Sequence, residues 1–133
     1  MLPILQKTVA ALAFTVLFQV AQAQVSFNRG VYNFGYLQLG KPATGEFLVT
    51  NNSKKTLAIE KTWAGCGCTT PKPSAKIIAP GQTIKLTVTF NAGAEETFLK
   101  EVYLKFKEIE SVYVLRVKGV VLSPKEYKKK FAN

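Results

Sequence analysis

From residue 24 onward the apolar residues recur at every second position in short runs, a pattern that a strand can bury on one face and a helix cannot. The clearest run spans Thr83 to Phe90. There Ile84, Leu86, Val88 and Phe90 share one face, and Thr83, Lys85, Thr87 and Thr89 share the other. Val102, Leu104 and Phe106 alternate in the same way with Tyr103, Lys105 and Lys107, which places these apolar residues in the core and Lys85, Lys105 and Lys107 outside. Over residues 112–121 both faces are partly apolar, with Tyr113, Leu115 and Val117 opposite Val114, Arg116 and Lys118, as in a central strand. Further strands are expected at 25–27, 31–34, 45–50 and 56–63.

Turn chemistry separates the runs. Asn51-Asn52-Ser53-Lys54-Lys55 reads as a polar turn, Pro80-Gly81 presets turn dihedrals before a strand, and Asn91-Ala92-Gly93 closes the next one. Pro71 and Pro73 make the stretch after Cys68 an irregular extended loop. About seven short strands without a helix of useful length predict an all-β fold, a two-sheet immunoglobulin-like sandwich, with a small barrel as the competing architecture. One domain is expected over residues 24–122, followed by a basic C-terminal tail over 123–133.

Residues 1–23 have a different composition. A start carrying Lys7 leads into an apolar stretch from Val9 to Phe18 and then Ala21-Gln22-Ala23, the form of a signal peptide with a small-residue cleavage site. The apolar run is about half of the roughly 20 residues that span a bilayer, so cleavage is expected rather than anchoring. The mature chain would begin at Gln24, carry no transmembrane segment, and be exported to the periplasm or cell envelope, or secreted. Without Lys7 it retains 17 basic against 8 acidic residues, a formal charge of +9.

That charge raises nucleic acid as a partner. Export argues against it, and so does the bias of 15 Lys to 2 Arg (Arg29 and Arg116) after residue 23. Anionic envelope polymers, lipid head groups or simple solubility fit better. The chain contains no His and no Asp, which excludes Ser/His/Asp and Cys/His triads and His-ligated metals. No catalytic residue and no cofactor are expected.

Cys66 and Cys68, within Gly65-Cys66-Gly67-Cys68-Thr69, form the one constellation with chemistry. A local bridge across Gly67 closes almost no loop and would stabilise little. Two quiet thiols, a redox pair and a soft-metal site are the alternatives. Zinc wants four ligands, so copper(I) is the better metal candidate, although Met1 is the only methionine and goes with the leader. Thioredoxin-like chemistry is disfavoured by CxC spacing without a βαβ unit. Among other residues, Trp63 reads as a core or rim aromatic. Lys61 shares the alternation of Leu57, Ile59 and Trp63, which implies a bulge or an edge strand. Glu95 and Glu96 adjoin in a loop, but consecutive residues of an extended chain face opposite sides, so they are expected to face solvent rather than form a carboxylate pair.

Several of these segments together resemble DUF1573, a family of exported bacterial proteins with an immunoglobulin-like fold. The resemblance is carried by Phe34-Gly35 with Gly40, Thr50-Asn51 before Leu57-x-Ile59, Cys66-Gly67-Cys68-Thr69, Ala79-Pro80-Gly81 before Val88-x-Phe90, and Val117-x-Gly119-x-Val121. Asn33 stands where the family tends to have Asp, and Ser53 where a turn Gly is usual. The resemblance implies the sandwich and the compartment. Similar sandwich domains serve in adhesion, scaffolding and strand capture, which implies a non-enzymatic binding or structural module with a protein or cell-envelope polymer as partner. The alternative is a thiol-redox or copper-binding protein using Cys66 and Cys68.

Overall fold

Nine strands and one short helix follow one another in residues 23–132, which the computed structural model describes. The leader expected at residues 1–23 lies outside the described residues except for Ala23. The strands are β1 (Val25–Phe27), β2 (Val31–Gln38), β3 (Ala43–Asn51), β4 (Leu57–Ala64), β5 (Thr69–Pro73), β6 (Ile77–Ile78), β7 (Thr83–Phe90), β8 (Glu96–Phe106) and β9 (Tyr113–Leu122); the helix is α1 (Pro124–Phe131). They form a four-stranded sheet ordered β1-β3-β7-β5 and a five-stranded sheet ordered β2-β9-β8-β4-β6. The two sheets make the sandwich that the alternation predicts. Only β2 and β9 pair in parallel, because the chain switches sheets between β1 and β2.

The core is built from the inward faces of both sheets. Phe47 and Val49 of β3, Leu86, Val88 and Phe90 of β7, Val102, Leu104 and Phe106 of β8, and Leu115 and Val117 of β9 are all buried. Burial of each large side chain contributes roughly 1.5–3 kcal/mol. The Phe90 and Phe98 rings stack at 3.9 Å between centroids, and Phe34 packs against both. Gly119 is required where β9 passes this cluster. A Cβ there would lie 2.8 Å from the Gly35 carbonyl oxygen and 2.9 Å from the Phe98 ring.

Several local expectations change. Strand β8 begins at Glu96, well before Val102, so Glu96 lies in a strand and Glu95 in the preceding loop. Strand β2 continues to Gln38 through an irregularity between Asn33 and Tyr36. Gly35 adopts φ +70° there, and its N–H donates to Asn33 Oδ1 at 2.9 Å, an acceptor that an aspartate would equally supply.

The segment after Cys68 is not an irregular loop. It forms β5, antiparallel to β7 and at the edge of its sheet. The Cys68 carbonyl accepts from Asn91 N–H, and Ser74 N–H donates to the Lys85 carbonyl. The backbone groups of Cys68, Thr70, Lys72 and Ser74 therefore face β7, and Pro71 and Pro73 face away from it, where the missing N–H breaks no ladder bond.

The polar turn after β3 also differs. Asn51 is 0% exposed. Its Nδ2 donates to the carbonyls of Lys55 and Ile78, and its Oδ1 accepts from Ser53 N–H and Oγ–H. The basic segment after Leu122, expected only as a tail, forms a helix. Ser123 Oγ caps α1 by accepting from Glu126 N–H at 3.1 Å, with Pro124 in its first turn. The helix buries no residue and leans on β2 through Phe131 and Lys130, both against Tyr36.

Candidate functional site

Strand β4 sets the geometry of the chemically distinctive region. Its pairing with β8 shifts register between Ile59 and Lys61, so one residue is inserted and the side-chain phase changes. Leu57 is buried before the shift; after it, Lys61 and Trp63 stand on the outer face, with Thr62 and Ala64 turned inward beside buried Leu104 and Val102. The bulge inferred from Lys61 is thus present. Strand β4 lies between β8 and β6 and is an edge strand only beyond β6.

On the outer face Trp63 and Tyr103 stack at 5.1 Å with an interplanar angle of 19°. Lys61 Nζ lies 4.9 Å from the Trp63 ring centroid. Tyr103 Oη–H donates to Glu101, whose other oxygen pairs with Arg116 at 3.5 Å. That hydrogen bond, followed by burial, raises the Tyr103 hydroxyl above its usual range, so the phenol stays protonated and serves as the donor. Leu99 is 60% exposed next to Lys118, its partner on β9, and Val114 is exposed next to Tyr103. This face therefore mixes aromatic, aliphatic and cationic groups with no element over them among the described residues.

Lys105 is not simply outward. Its ammonium donates to the carbonyls of Phe106 and Ile109, both at 2.6 Å, and lies 3.4 Å from Glu60. Nearby, Glu108 accepts from Ala58 N–H at 2.9 Å. That bond is the main reason its carboxyl is held below the ordinary range.

The cysteines occupy the turn by which the chain leaves β4 for β5 in the other sheet. Their Cα atoms are 5.2 Å apart and the two sulfurs lie within bonding distance across Gly67. Gly65 N–H donates to the Glu101 carbonyl on one side, and the Cys68 carbonyl accepts from Asn91 N–H on the other. Thr69 Oγ1, on a residue 4% exposed, sits 3.6 Å from the Cys66 sulfur and 3.5 Å from the Cys68 sulfur. Joined sulfurs lack the thiolate charge that a soft metal requires. Among the described residues no group of three or more His, Cys, Asp or Glu converges as a metal site.

An open depression of about 260 Å³ lies between β2, β8 and β9, lined by Asn33, Tyr36, Thr97 and Lys118 among others. Lys118 is its one charged group. Sequence reasoning found Trp63, Lys61 and the cysteines but missed Tyr103, which looked like any polar-face residue. The alternation of Tyr103 with Val102 and Leu104 was the available signal.

The family model described as "Protein of unknown function (DUF1573)" matches residues 25–121. No curated protein matches the sequence. Among solved structures, a protein of unknown function from Porphyromonas gingivalis W83 is similar at 14% identity and TM-score 0.64, over 75% of this chain and 50% of that one. The Vibrio cholerae VesB protease is similar at 16% identity and TM-score 0.61, over 73% and 32%. The PapD-like domain 7 of human CEP192 is similar at 11% identity and TM-score 0.60, over 75% and 86%. The chain thus spans half or less of the first two. At these identities the likeness is one of fold, the immunoglobulin-like sandwich.

Proposed function

Because the chain belongs to the DUF1573 family, matched over residues 25–121, we propose that it is an exported, non-enzymatic binding module of the bacterial cell envelope. The observation that carries this reading is the outer face of the five-stranded sheet. Trp63, Tyr103, Val114 and Leu99 lie there among Lys61, Arg116 and Lys118. Aromatic residues and Arg are enriched in protein interfaces, and an exposed apolar cluster with a polar rim marks a docking surface. Export is supported by the leader composition of residues 1–23, with Ala21 and Ala23 placed for cleavage. The partner is a protein or an anionic envelope polymer, since the chain from Gln24 onward carries a formal charge of +9. The Cys66–Cys68 pair fixes only the shape of the turn between β4 and β5.

The test is photo-cross-linking in the cell envelope, with the reactive side chain placed at Leu99 on this face or at Leu48 on the four-stranded sheet. A discrete adduct from position 99 and none from position 48 is expected. Equal labelling, or none at either, contradicts the reading. Mass analysis of the envelope form should give Gln24 as its first residue; retention of Met1 contradicts cleavage and favours an N-terminal anchor.

A further inference from the structure

The two edges flanking the Cys66–Cys68 turn are finished differently. Just past β4, Gly65 N–H bonds to the Glu101 carbonyl, so Lys61, Trp63 and Gly65 direct their backbone groups toward β8. Leu57 and Ile59 direct theirs to the opposite side, where β6 pairs with Leu57–Ala58 and the Lys76 carbonyl accepts from Ile59 N–H. There the chain peels away toward β5. Beyond it the backbone groups of Thr62 and Ala64 face the same side, and no strand of the described residues pairs with them. The corresponding side of β5 carries Pro71 and Pro73, which offer no N–H. One edge is blunted and the other keeps its donors.

The charges around the open edge have one sign. Lys61, on the strand itself, and Lys76, whose carbonyl accepts from Ile59 N–H, border it and are exposed, whereas the nearby carboxylate of Glu60 already lies 3.4 Å from Lys105 Nζ. We propose that an extended acidic peptide adds to the five-stranded sheet beside Thr62 and Ala64. This deepens the binding-module reading above and rests on it. Thr62 exchanges both backbone hydrogen bonds with one peptide residue, whose side chain turns inward with that of Thr62. The peptide residues on either side of it then lie on the outer face, an acidic one against Lys61 and an apolar one against Trp63. Because the pair is antiparallel, recognition asks for an apolar residue followed two positions later by an acid. A second copy of the chain fits poorly, because self-pairing about Thr62 brings two cationic edges together on chains whose residues from Gln24 onward carry a formal charge of +9.

Trp63 is the only tryptophan, so its fluorescence reads the site directly. The probe is the capped peptide acetyl-Thr-Phe-Val-Glu-Thr-Glu-amide, whose valine pairs with Thr62 in antiparallel sense, titrated into the protein at low salt. A saturable change is expected, weakened about 10-fold or more in Lys61→Glu and lost in Thr62→Pro. Circular dichroism should show Thr62→Pro folded, since its nitrogen faces the unpaired side. Should that variant not fold, methylation of the valine nitrogen of the probe applies the same test to the wild-type protein and is expected to abolish binding. Unchanged binding by Thr62→Pro or by the methylated probe overturns the proposal, as does a silent Trp63. Self-association of the wild type that Thr62→Pro removes overturns it in favour of a second copy. An adduct at position 99 that survives Thr62→Pro in cells defeats this inference and leaves the binding-module reading standing; absence of that adduct in the wild type defeats the broader reading.

Discussion

The paired strands β3 and β7 and the crossover from β4 to β5 solve the same problem, burying one side of a strand, in different ways. Strands β3 and β7 keep unbroken register from Ala43↔Phe90 to Thr50↔Thr83, and their inward residues are apolar at every second position. The crossover inserts a residue at β4, turns through Gly65 and Gly67, and continues through two prolines. The difference teaches that regular alternation serves the core, and that the departures from it re-aim side chains and free backbone groups toward solvent. Lys61 and Trp63 reach the outer face only because of the bulge, and Thr62 keeps a free donor only because the chain leaves β6 early.

The sharpest way to break the comparison is truncation in the regular region. Leu86→Ala, in a site with no exposure, should cost about 2–5 kcal/mol in denaturant unfolding. A much smaller loss would mean that β7 does not anchor the core. Asn51→Ala should cost about 2–3 kcal/mol, because it leaves the carbonyls of Lys55 and Ile78 without their donor. Lys105→Ala should cost about 1–2 kcal/mol by the same measurement, through its lost bonds to the carbonyls of Phe106 and Ile109. A neutral result there would return Lys105 to the solvated face that alternation alone assigns it. The smallest effect belongs to the crossover. The Cys66→Ser, Cys68→Ser double variant should lose at most about 1.5 kcal/mol, because so short a ring restrains the unfolded chain little.

The regular region was legible in the sequence because burial on one face imposes a period of two that few other forces mimic. Ile84, Leu86, Val88 and Phe90, and likewise Val102, Leu104 and Phe106, are all core residues. Strand β5 was illegible for a specific reason: proline is read as a strand breaker, and its tolerance at an edge depends on which way each nitrogen faces, which is known only once the sheet is assembled. Asn51 was misplaced because a polar residue in a turn is ordinarily solvated, and its partners at Lys55 and Ile78 come from separate segments. The helix α1 did carry a local signal in Ser123-Pro124-Lys125-Glu126, a cap followed three residues later by an acid. At the site, the bulge was legible from Lys61 interrupting an apolar phase. The open edge was not, since it is defined by where β6 ends.

Residue-resolved amide hydrogen exchange compares the two regions most directly. In the free protein Thr62 and Ala64 should exchange fast and Leu86 and Val88 slowly, because β7 is paired on both sides and β4 beyond Ile59 on one. The acetyl-Thr-Phe-Val-Glu-Thr-Glu-amide peptide should then slow Thr62 and Ala64 and leave Leu86 and Val88 unchanged. Protection of Thr62 in the free protein equal to that of Leu86, or exchange at Thr62 that the peptide does not slow, would contradict the account.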